Sequence, residues 1–185
     1  MLPPVSRMNT RLAVSFTFFV NGAFFACLAC RIPDIQHRLA IDEAQLGFGL
    51  LSGAVGAFGG VASSGRACAK YGSHRVAVGT GLAACIFLPL LSLAPNLWSF
   101  MLDFVCLGAC TATMDVAMNT NGVAVEKLHP KPIMSSLHGM FSLGGVVFAG
   151  VGWLVSVFTG HVPYLLWYCI SSNDGLTGLS GAGLS

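Results

Sequence analysis

Charge is what this sequence has least of. Only 9% of its 185 residues are Asp, Glu, Lys or Arg, against about 25% in an ordinary soluble domain, while 55% are hydrophobic and the mean hydropathy is +0.76. A soluble globular fold is excluded by that balance, because too few charged groups remain to cover a surface in water. No run of basic residues interleaved with aromatics is present, so nucleic acid is not an expected partner. Nor is there a glycine-rich phosphate cradle or a His/Cys/Asp/Glu cluster with ligand spacing, and neither cofactor nor metal is expected. His129 and His138 stand apart from any matching nucleophile or acid, so an enzyme is not expected either. Seven cysteines are present, but five (Cys27, Cys30, Cys85, Cys106, Cys110) lie in apolar runs, where cysteine acts as a small buried apolar residue. "CLAC" at 27–30 has the C-x-x-C spacing without the accessible polar setting a reactive thiolate needs.

What the chain does have is long apolar runs with its charges clumped between them. A hydrocarbon core of about 30 Å takes about 20 helical residues to cross. Runs of that order cover 12–30, 46–65, 76–94, 97–125 and 133–159, and a sixth, "VPYLLWYCI" at 162–170, yields after nine residues to "SSNDGLTGLSGAGLS". We expect an all-α polytopic membrane protein with five full spans and a sixth cut short by truncation or a frame change. Residues 1–11 form its N-terminal segment and 171–185 a flexible Gly/Ser tail. A cleaved signal peptide is disfavoured, because the first apolar run exceeds the usual length and further spans follow. Seven Lys and Arg (Arg7, Arg11, Arg66, Lys70, Arg75, Lys127, Lys131) fall on one side of this arrangement, and only Arg31 and Arg38 on the other. The positive-inside rule therefore puts the N-terminus in the cytoplasm.

Small residues recur at helical spacing. Gly49 and Gly53, then Gly56 and Gly60, line the second run; Ser142, Gly145, Ala149 and Gly152 line the fifth. Such rows let helix backbones approach closely, either as static packing or as smooth faces on which helices rock.

Polar residues inside the runs are costly and therefore informative. Asp115 and Asn119 are four apart and share a helix face, which Thr111, Gly108 and Gly122 extend. Counting at 1.5 Å per residue, Asp115 sits roughly 15 Å inside the cytoplasmic end, and His138 enters the fifth run from the same side. Asp115 is a hydrogen-bond acceptor for neighbouring helices, a solute contact, or, with His138, a proton carrier. Asn21, midway along the first run, is either a helix-to-helix hydrogen bond or a solute contact. Asp103 lies near the far surface and is assigned no transport role.

The loop "GRACAKYGSHR", residues 65–75, resembles the signature between the second and third helices of the major facilitator superfamily, G-x-x-x-D-[RK]-x-G-[RK]-[RK]. Gly65, Lys70, Gly72, His74 and Arg75 fit it, while Ala69 stands where the family has its aspartate and Ser73 where it has a basic residue. "FFVNGAFFACLACRIPDIQHRLAIDEAQLG" (18–47), "MDVAMNTNGVAVE" (114–126) and "PIMSSLHGMFSLGG" (132–145) look like the MosC-like and YbjJ-like branch of bacterial inner-membrane proteins in that superfamily. The likeness spans residues 10–165, the N-terminal six-helix half of a twelve-helix fold.

That resemblance implies a carrier in the bacterial inner membrane, moving a small polar organic solute by alternating access between two half-bundles, with proton coupling as one possibility. It turns the first and fourth helices toward a central cavity, making Asn21, Asp115, Asn119 and His138 candidate solute contacts and Gly65, Lys70, Gly72 and Arg75 a cytoplasmic gating loop. The partners it implies are the bilayer, the solute, and a second half-bundle or a second copy of the chain. The rival reading is a truncated or non-transporting membrane subunit.

Overall fold

The computed structural model describes residues 4–159, which form five long helices. The expected partial span at 162–170 and the tail at 171–185 lie outside the described residues. The helices are α1 (Pro4–Leu39), α2 (Glu43–Tyr71), α3 (Ser73–Leu93), α4 (Leu97–Glu126) and α5 (Met134–Thr159). All five are long and apolar enough to cross a membrane.

Short, well-capped joints separate them. At the end of α1, Ala40 takes a left-handed backbone (φ 51°), with its N–H donating to the His37 carbonyl and that of Ile41 to the Gln36 carbonyl. This pairing closes a helix C-terminus and usually has glycine at the left-handed position. Asp42 then caps α2 reciprocally: the Gln45 N–H donates to Asp42 Oδ1 (2.8 Å) and the Asp42 N–H to Gln45 Oε1 (3.1 Å). Asn96 and Ser99 repeat the device at the start of α4. Gly72 alone, at φ 85°, separates α2 from α3.

Two joints are tighter than the charge pattern suggests. Arg31 is not in a loop: α1 runs on through Pro33 to Leu39, and the Arg31 side chain is buried, donating to Ser92 Oγ on α3 (3.0 Å) and pairing with Asp34 (3.7 Å). Likewise the basic stretch 65–75 is almost wholly helical, because a charged residue need only reach water and need not leave the helix.

α4 is the organising element. α2 and α3 pack along it, α1 packs along α5, and a narrower α1–α4 contact joins the two groups. One apolar cluster, including Phe24, Ile35, Leu91, Phe100 and Leu107, fills the end where α1 meets α2. A second, with Val14, Phe18, Met118, Val125, Ile133 and Leu137, fills the end carrying the α2–α3 and α4–α5 connections, called the basic end below. Hydroxyl groups within the helices donate to carbonyls one turn back, as Thr17, Thr80, Thr111, Thr113 and Thr120 do, and so need no water.

Glycines set the closest approaches. A Cβ on Gly56 would run into the Val105 carbonyl of α4, one on Gly60 into that of Ala109, and one on Gly108 into that of Gly53. Gly49 and Gly53 also seat the stacked rings of Phe100 and Phe104. The α2 row thus packs as its spacing suggests. The α5 row is shifted: Gly144, not Gly145, meets α1, against the Phe19 carbonyl, with Gly22 reciprocally against that of Phe141. Gly145 makes only ordinary contact and Ala149 is exposed. Spacing alone could not separate these rows, since small residues at 144, 145, 149, 150 and 152 offer more than one stripe.

Candidate functional site

The exposed side of α4 carries the polar pair. Asp115 is exposed on this side, and Asn119 Nδ2 donates to the Asp115 carbonyl (2.9 Å) and reaches its Oδ1 at 3.4 Å. The second bond ties the amide to the carboxylate, so the two present one polar surface. Part of the expected stripe is closed. Thr111 is buried with its hydroxyl on the Leu107 carbonyl, Gly108 packs on α2, and Gly122 is covered by Met134 and Leu137.

His138 of α5 is exposed, and its ring meets Phe18 of α1 edge-on, with centroids 5.4 Å apart. Asn21 is placed differently. It is 1% exposed, one turn from Phe18 and between α1 and α4, with Nδ2 3.5 Å from Met118 Sδ and Oδ1 without a hydrogen-bond partner among the described residues. A thioether is a weak acceptor, so this amide keeps unused hydrogen-bonding capacity directly behind the Asp115 surface.

Two open grooves meet at Asp115. One, of about 340 Å³, runs between α1 and α2 and is walled mostly by apolar residues such as Phe25, Leu28, Leu50 and Ala57. The other, of about 580 Å³, follows α4 toward the basic end past Asn119, Thr120 and Val123 to Lys127. Asp115 borders both. The carboxylate therefore stands where two mostly apolar grooves meet, the second carrying Asn119, Thr120 and, at its end, Lys127. Such a junction suits a small molecule with polar groups on an apolar frame.

The expected gating residues lie at the basic end. Gly65 and Lys70 are in the last two turns of α2, Lys70 Nζ lies 5.0 Å from the Tyr71 ring centroid, Gly72 is the single residue joining α2 to α3, and Arg75 is exposed in the first turn of α3. Ser73, where the resemblance expects a basic residue, donates to Asn121 Oδ1 on α4 at 2.5 Å. That bond takes Asn121 away from the Asp115 surface.

Glu126 escaped sequence reasoning. Its Oε2 accepts from the backbone N–H groups of Ile133 and Met134, both at 2.7 Å, and so caps α5 from the end of α4. The signal was present: an acid sits eight residues before a helix that begins just after Pro130 and Pro132 and has no acid in its own first turn.

Comparison with known proteins gives three relatives. An MFS-type transporter of Yersinia pestis is 36% identical over 149 residues, covering 80% of this chain and 38% of the relative. Membrane protein MosC of Rhizobium meliloti is 34% identical over 152 residues, 82% of this chain and 37% of its own length. The transporter y4wD of Sinorhizobium fredii is 32% identical over 145 residues, 78% of this chain and 38% of its own. This chain therefore spans under two fifths of the length of the curated relatives it matches. No protein-family model matches it, and no solved structure does.

Proposed function

The chain belongs to the major facilitator superfamily, matching the N-terminal part of its members, and we propose that it forms one wall of a carrier for a small polar organic solute. The observation that carries this reading is the polar Asp115–Asn119 surface, exposed at the junction of two grooves on a helix otherwise apolar enough to span a membrane. In the proposal that surface faces a central cavity, and a second half-bundle, from a second copy or a further stretch of chain, supplies the opposite wall. Rocking of the two walls exposes the cavity to each side in turn. The basic end lies in the cytoplasm of a bacterial cell, where its lysines and arginines face the inner leaflet of the inner membrane.

Asp115 and Asn119 are the proposed solute contacts, offering carboxylate oxygens and an amide in one patch. Asn21 stands behind them as a donor and acceptor that a small shift of α1 against α4 would bring forward. The gating role stays with Gly65, Lys70, Gly72 and Arg75, of which Gly72 supplies the one backbone break between α2 and α3. Proton coupling is the finer part of the proposal, with Asp115 of α4 and His138 of α5, both exposed, as the two titratable groups that would carry it.

The test is uptake by the reconstituted carrier, this chain together with its other half, comparing Asp115→Asn and His138→Ala with the parent across pH. Asp115→Asn is expected to abolish solute-dependent uptake, and His138→Ala to flatten its pH dependence. Unchanged uptake and affinity in both variants would overturn the assignment. A thermal-stabilisation screen over sugars, cyclitols and organic acids identifies the solute.

A further inference from the structure

The joint between α2 and α3 at the basic end has few ties to α4. Gly72 is the single residue between the two helices, and the joint's backbone bonds stay within it: the Gly72 N–H donates to the Cys68 carbonyl (2.9 Å) and the Val76 N–H to the Gly72 carbonyl (3.1 Å). The apolar contact with α4 is made of small side chains. Val76 and Ala77 of α3 meet Ala117 of α4, with Ala67 and Cys68 of α2 at the edge. Alanines bury far less area than the Phe, Leu and Ile of the other two clusters, so this contact contributes correspondingly less.

Charge does not make up the difference. Arg66, Lys70 and Arg75 are exposed at the joint, as is His74 beside Arg75. After Glu43 neither α2 nor α3 contains an acid, and Glu126 of α4 has its carboxylate on the backbone of α5. Among the described residues none of these four basic side chains forms an ion pair or hydrogen bond with α4. Like charges gathered on one joint push its helix ends apart. Among the described residues a single side-chain hydrogen bond ties this joint to α4: Ser73, the first residue of α3, donates its hydroxyl to Asn121 Oδ1 at 2.5 Å, and both side chains are partly buried. A serine at a helix start commonly caps that helix. α3 has no side-chain cap, and the Ser73 hydroxyl is turned to α4 instead.

We propose that the Ser73–Asn121 hydrogen bond is an uncharged clasp that holds the α2–α3 joint closed on α4. The joint opens when this one bond yields, not when an ion pair is screened. The clasp is a property of the packed helices and does not rest on the transport reading. It does reach the polar surface: Asn121 is two residues from Asn119, about 200° around the helix, so holding Asn121 toward α3 keeps Asn119 on the opposite side with Asp115.

The test follows alkylation of Cys68 by N-ethylmaleimide in the full chain, purified in a neutral detergent, with the modified peptides resolved by mass spectrometry. Cys68 is half-buried at the edge of the joint's apolar contact, so its rate reports the open population. Ser73→Ala and Asn121→Leu should each raise that rate about fivefold, the usual contribution of one uncharged hydrogen bond. The double variant should open no more than either single variant, because each removes the same bond. Asn121→Asp keeps an acceptor for Ser73 and should not raise the rate. In the parent, raising the ionic strength from about 0.05 to about 0.5 M should leave the rate unchanged or lower it, because salt screens only repulsion at this joint. Unchanged rates in Ser73→Ala and Asn121→Leu refute the clasp, as does a double variant whose effect is the product of the two. A severalfold rise with salt in the parent would mark an ion pair as the tie, and a rise in Asn121→Asp as large as in Asn121→Leu would show that the acceptor is not what holds; either overturns the proposal. So does an equal rise at Cys110 of α4, which would show the bundle loosening as a whole. If Asn121→Leu fails to fold, Ser73→Ala, which removes a single oxygen, still decides.

Discussion

Gly56 and Gly59 lie three residues apart on the same apolar helix, and the structure predicts opposite consequences for the same one-methyl change. At Gly56 a Cβ meets the Val105 carbonyl oxygen and its backbone, which cannot rotate away as a side chain could, so α2 and α4 must part. Overpacking of this sort costs about 1–3 kcal/mol, and the parting also loosens the neighbouring Gly60–Ala109 and Gly53–Gly108 approaches. At Gly59 a Cβ finds nothing within 4 Å. There the substitution only removes glycine's backbone freedom in the unfolded chain, a gain of about 0.5–1 kcal/mol. The two variants should therefore differ by about 1.5–4 kcal/mol, a tenfold or greater difference in the folded-to-unfolded ratio. Reversible unfolding of the detergent-solubilised chain with sodium dodecyl sulfate, followed by far-ultraviolet circular dichroism, resolves a gap of that size. Equal midpoints for Gly56→Ala and Gly59→Ala, or the larger loss at Gly59, would refute the packing of α2 on α4 described above.

Three further outcomes follow from the joints. Ala40→Gly should stabilise the chain by about 0.5–1 kcal/mol in the same unfolding assay, because it relieves a left-handed alanine at the end of α1. Glu126→Ala should cost about 1–2 kcal/mol and raise amide hydrogen exchange at Ile133 and Met134, whose N–H groups it leaves unpaired; unchanged exchange there would show that the cap does not hold. Asp42→Ala should cost about 1 kcal/mol, with Gln45→Ala giving a smaller loss and the double variant less than the sum, as expected when two side chains cap one terminus reciprocally.

Much of the architecture was readable in advance because lipid is a strict solvent. Every spanning segment must satisfy its own backbone, so run length alone identified α2 to α5 to within a few residues at most boundaries, and Asn96 after Pro95 marked the start of α4. Where the reading fell short, the cause was local. Arg31 looked like a loop residue because charge was taken as a boundary, yet Ser92 and Asp34 satisfy it inside the bundle. Residues 66 to 71 looked like loop for the same reason and are helix. Helical spacing paired Asn119 with Asp115 and left Asn121 unassigned; in the fold Asn121 accepts from Ser73 of α3.

The sequence by itself determined the class, the number of described spans, the end on which the basic residues gather, and that Asp115 and Asn119 share a face. Tertiary structure alone decided which glycines touch, that Asn21 is covered while Asp115 is open, and that the His138 ring packs on Phe18 of α1. The reason is that helices in lipid are apolar on nearly every side, so no amphipathic stripe announces which face packs against protein and which meets the bilayer. The meeting of backbones at Gly56, Gly60 and Gly108 fixes the rotation of α2 on α4, and that at Gly22 and Gly144 the rotation of α1 on α5, and with them the polar side chains they carry.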